Sequence, residues 1–144
     1  LYILSMCLVT DVELSPDEAV ELDADAVRVR ATSLLRDILS DPAPRQRDIP
    51  TIMAFVAAVG LSVVAAEDAD PDRRAVGAEL VATALAVGTN QTCRLLSHDY
   101  LHSRTEQLDA RALAQAEVRI RLLDRGELVA HAADLAGRLA GEVG

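Results

Sequence analysis

The sequence predicts an all-α fold, a compact bundle of five or six helices with a short extended arm or strand as a further element at its N-terminal end. Three observations carry this. Apolar residues recur three and four positions apart through most of the chain. Helix-start signals of the Ser/Asp-Pro type punctuate it. Hydrophobic residues reach 51% while aromatics stay at 2%, so the core must be built from Leu, Val and Ala on closely packed helices.

The first six residues, "LYILSM", are similar to the Leu-Tyr-Phe-Gln-Ser-Met left by a cleavable purification tag, departing at Ile3 and Leu4. Leu1–Ser5 is therefore read as a tag remnant, and 6–144 as a single helical domain. "CLVTDVEL" (Cys7–Leu14) is rich in β-branched residues and supplies the extended arm. In "SPDE", Ser15 can cap, Pro16 fits the first helical position and Glu18 completes a capping box.

A helix restarts near Asp23 and runs to about Leu39. Val27, Ala31, Leu34, Leu35 and Ile38 lie on one face, with Arg28, Arg36 and Asp37 outside it. The three prolines of "DPAPRQRDIP" end it. Thr51 to Glu67 reads as a buried helix. The uncharged run Ile49–Ala66 is diluted by Pro50, Thr51, Gly60 and Ser62, which favours a bundle core over a membrane span.

Asp70 and Pro71 form the next cap and first position, of a helix reaching about Val87, and Gly88 to Asn90 break it. "CRLLSHDYLH" (Cys93–His102) is expected to form about three turns. A capping box at Ser103–Glu106 then starts a long helix toward Leu123. "DRGE" (Asp124–Glu127) leads into the last helix, striped by Leu128, Ala132, Leu135 and Leu139. Around that turn, Glu117–Ala132 also alternates apolar and charged residues, so a β-hairpin competes with helix there; the Ala-rich flanks favour helix.

Composition narrows the function. A net charge of −9 disfavours binding to a phosphate backbone, so nucleic acid is not an expected partner, and no helix is basic enough to read a groove. Every basic residue is Arg, a bias of GC-rich bacterial genomes. Two cysteines, Cys7 and Cys93, are too few for a disulfide framework, and no secretory leader is visible, which points to the cytoplasm. No P-loop, dinucleotide fingerprint, nucleophile elbow or calcium loop is present, and no cofactor is expected. Acidic pairs such as Asp23 with Asp25 and Asp68 with Asp70 fall in turns and caps.

The densest chemistry lies in "CRLLSHDYLH". At about 100° per residue, Leu96, Tyr100, Ser97 and Leu101 share a face with Cys93, while His98 and His102 fall about 140° and 180° away. One helix cannot bring Cys93 and both histidines to one ion. His98 and His102, at i and i+4, remain a candidate metal pair, with Glu106 or a second chain as a third ligand. The plainer expectation is a solvated histidine face. The arginines at 45 and 47, 73 and 74, and 119, 121 and 125 read as salt-bridged surface, with Arg121 and Arg125 on one helix face one turn beyond Glu117.

These readings lead to a non-enzymatic interaction or regulatory protein that associates with itself as a homodimer, because several apolar faces exceed what one small bundle covers. The alternatives are a metal-binding enzyme or sensor using His98 and His102, and a small-ligand protein with a pocket beside Phe55 and Tyr100.

Overall fold

The structure, a computed structural model, describes residues 24–39, 49–66, 70–89 and 96–143. Among these it contains five helices and no strand: α1 (Ala24–Leu39), α2 (Ile49–Ala65), α3 (Pro71–Val87), α4 (His98–Ile120) and α5 (Arg125–Val143). The expected bundle is present. The arm at 7–14, the "SPDE" box, the proposed tag remnant, most of "DPAPRQRDIP" and both cysteines lie outside the described residues.

Helix α2 is the centre. It carries no charge, and every residue from Ile52 to Val64 is buried, Phe55 fully so. A helix apolar all round needs neighbours on every side, and α1, α3 and α4 all pack on it. Its apolar surface is thus covered within this one chain. Among the described residues no helix is long and apolar enough to cross a membrane.

The crossing of α2 and α3 is set by two glycines. A Cβ on Gly60 would come within 2.5 Å of Gly77 O, and one on Gly77 within 2.8 Å of Gly60 O. Backbone meets backbone here, and only hydrogen at both positions permits it. Helix α3 begins and ends as its sequence signals require. Asp70 Oδ1 accepts the Arg73 N–H at 2.7 Å, Pro71 takes the first position, and Gly88 closes the helix at φ +114° with its N–H on Ala84 O.

Helix α1 buries Ala31 and Leu35 and half-buries Leu34 and Ile38, so the expected stripe is present where it is described. It also buries Thr32, whose hydroxyl is satisfied by Arg28 O at 2.8 Å. Helix α5 buries Leu128, Ala132, Leu135 and Leu139 as its stripe predicts. Asp124 caps it through Oδ1 on the Glu127 N–H, and both sides of the Asp-Arg-Gly turn are helical, which removes the hairpin alternative.

Helix α4 departs from expectation. Its first turn is capped by Ser97, whose Oγ accepts the Tyr100 N–H, so only the second half of "CRLLSHDYLH" is helical among the described residues. The box at Ser103–Glu106 starts nothing, because the helix is already running. Thr105 instead bonds back to Leu101 O inside it. The break comes at Asp109 (φ −158°, ψ 80°), whose Oδ1 accepts the Ala112 N–H and caps a second arm. No proline or glycine marks this position; an aspartate with capping chemistry suffices.

Candidate functional site

The fold-back at Asp109 assembles a groove that no linear reading of α4 places together. His102, before the break, and Glu117, after it, meet at 2.9 Å between Nε2 and Oε1 although 15 residues apart. In a straight helix they would be about 22 Å apart at ~1.5 Å per residue. The other imidazole nitrogen, Nδ1, faces Glu106 Oε2 at 3.6 Å, so the ring sits between two carboxylates.

His98 stacks on His102 with ring centroids 6.1 Å apart and planes within 5° of parallel. The lone pair of an imidazole lies in the plane of its ring. Two parallel stacked rings therefore do not aim at a common point, and chelation by this pair requires both to rotate and His102 to leave Glu117. Among the described residues no group of three or more His, Cys, Asp or Glu is placed to hold a metal ion. The expectation that both histidines face only solvent is corrected: His98 is exposed, but His102 is held across the hairpin.

These residues border an open groove of about 530 Å³. His98, His102, Glu117 and Arg121 form its polar side; Leu85, Ile120, Leu123 and Leu128, with small residues of α3, form the apolar side. Arg121 does not extend a salt-bridged face with Arg125, because α4 ends at Ile120 and the two arginines belong to different elements. Glu117 is committed to His102, and Arg125 donates instead to Val87 O. Phe55 belongs to the core and Tyr100 packs against its edge; neither lines this groove.

A second constellation joins three helices nearby. Glu79 on α3 is 6% exposed, yet it carries a carboxylate. Arg119 Nε of α4 donates to its Oε1. His131 Nε2 of α5 lies 3.2 Å from its Oε2, an electrostatic contact without hydrogen-bond geometry. A buried carboxylate requires such partners. The sequence carries one sign of it: Glu79 is the one charged residue in the run 75–87.

Outside both constellations, the second arm of α4 leaves one face open to solvent while Leu113, Ala116 and Ile120 are buried. Val118 is 64% exposed and Leu122, just past the helix end, 92% exposed. Together with Val29 these are the large hydrophobic residues left uncovered among the described residues. Neither was singled out by periodicity, because residues on the far side of a regular stripe are expected to be polar.

Comparison with known protein families, with characterised proteins and with solved structures finds no match to this chain.

Proposed function

We propose that this chain is a non-enzymatic interaction protein that associates with itself through the outer face of the second arm of α4. The observation that carries this is the pair Val118 and Leu122, four residues apart and the two most exposed large hydrophobic residues among the described residues. Single exposed apolar residues are ordinary; two on one ridge beside an apolar groove form a patch.

A second copy is the occupant that fits. Two such arms laid antiparallel about a two-fold axis at Val118 bring Leu122 over the small, exposed Ala114 of the other copy. The closure of α2 inside its own bundle leaves this ridge, and not the uncharged helix, as the basis for association.

Sedimentation equilibrium tests the reading. Wild-type protein should run as a concentration-dependent dimer, and Leu122→Glu or Val118→Glu as a monomer with an unchanged circular dichroism spectrum. A wild type that stays monomeric at high micromolar concentration, or a dimer untouched by both substitutions, rejects it.

A further inference from the structure

A different surface holds two arginines without carboxylate partners. An open cavity of about 310 Å³ lies where the first turns of α3 meet the Asp109 break, and Arg74 of α3 and Arg111 of α4 both line it. Among the described residues neither makes an ion pair, in a chain that has 23 acidic residues to supply one. Arg74 Nε is shut off from solvent and has no hydrogen-bond partner among the described residues. The two terminal nitrogens of Arg74 are not shut off in this way, and they are the donors that an acceptor in the open cavity can reach.

The remaining lining chemistry is that of an oxyanion site. Gln115 lies one helical turn beyond Arg111 and brings an amide to the same rim. Asp109 also lines the cavity; its Oδ1 is occupied by the Ala112 N–H, so one of its oxygens is already used. The second arm of α4 starts at this point, and the positive end of its peptide dipoles offsets part of the Asp109 charge. Two guanidinium groups present several N–H donors in planar arrays, the arrangement that suits a phosphate group better than a point charge would.

We infer that the Arg74–Arg111 cavity binds a phosphate group, free or esterified to a small polar molecule. No aromatic residue lines the cavity to stack a base, which favours a small phosphate over a nucleotide.

Isothermal titration of the full chain with inorganic phosphate, at ionic strength matched with sodium chloride, tests the inference. Saturable binding at millimolar concentration is expected, weakened by about tenfold or more in Arg74→Gln and in Arg111→Gln, since each removes a charge-assisted contact. Arg111 is exposed, so its variant keeps the test valid should Arg74→Gln fail to fold. Asp109→Asn preserves capping chemistry and removes a negative charge, so it should bind phosphate more tightly. The Leu122→Glu variant should bind as the wild type does, which separates this site from self-association.

Glycerol 3-phosphate distinguishes the sources: binding tighter than inorganic phosphate marks an esterified ligand, and weaker binding marks the free ion. Absence of saturable heat, or phosphate binding equal in wild type, Arg74→Gln and Arg111→Gln, overturns the assignment. So does acetate binding as tightly as phosphate.

Discussion

His102 and Glu117 are 15 residues apart on what is formally one helix, and their side chains touch at 2.9 Å. The contact exists because α4 reverses at Asp109, and it closes the hairpin at mid-height. Both groups are partly in water, at 35% and 49% side-chain exposure, so the pair is expected to be weak. A double-mutant cycle with His102→Ala and Glu117→Ala should give a coupling of about 0.2–1 kcal/mol at low salt. Repeating it in ~1 M sodium chloride should remove most of that coupling through screening. A coupling that survives high salt would mean the contact is not principally electrostatic.

The hairpin itself depends on Asp109. Removing its carboxylate leaves the Ala112 N–H without its acceptor at the start of the second arm. Asp109→Ala should lower stability by about 1 kcal/mol, the usual worth of an N-cap, while Asp109→Asn should cost much less. Urea denaturation measures both. Equal losses for the two variants would show that charge, and not capping, holds the reversal.

Glu79 is the most consequential ionisable residue of the core. Its partners come from two other helices, so its loss touches the packing of α3, α4 and α5 together. Breaking a fully buried pair costs ~3–5 kcal/mol, but Arg119 is 47% exposed and can return to water, so about 1–3 kcal/mol is expected for Glu79→Ala. Arg119→Ala leaves the carboxylate buried with only His131 beside it, and should be no milder. Thermal or chemical unfolding of the two variants decides the order.

The glycines should separate into two kinds. Gly60→Ala and Gly77→Ala each drive a methyl group into the facing backbone, with losses of about 1–3 kcal/mol from overpacking. Gly137, inside α5, has nothing within 4 Å of an added Cβ and no positive φ. Gly137→Ala should therefore stabilise the protein by roughly 0.5–1 kcal/mol through helix propensity. If Gly60→Ala proves as harmless as Gly137→Ala, the close crossing of α2 and α3 is wrong.

The sequence by itself determined the helical class, the burial of α2, the stripe of α5 and the ends of α3. Each of these is local: a run without charge, a spacing of three and four, an Asp-Pro start and a glycine stop act within a few residues of themselves. It also divided "CRLLSHDYLH" correctly in part, with Leu96 and Leu101 buried and His98 in water. Only the tertiary structure decided that α4 folds back at Asp109, that Glu79 finds Arg119 and His131, and that Gly60 meets Gly77. Side-chain spacing reports which residues share a face of one helix. It does not report which face meets which neighbour, and each of these three features is a meeting of residues far apart in the chain. Asp109 shows the limit most plainly: an aspartate in a helical run reads as one more polar residue until its carboxylate is seen capping a second arm.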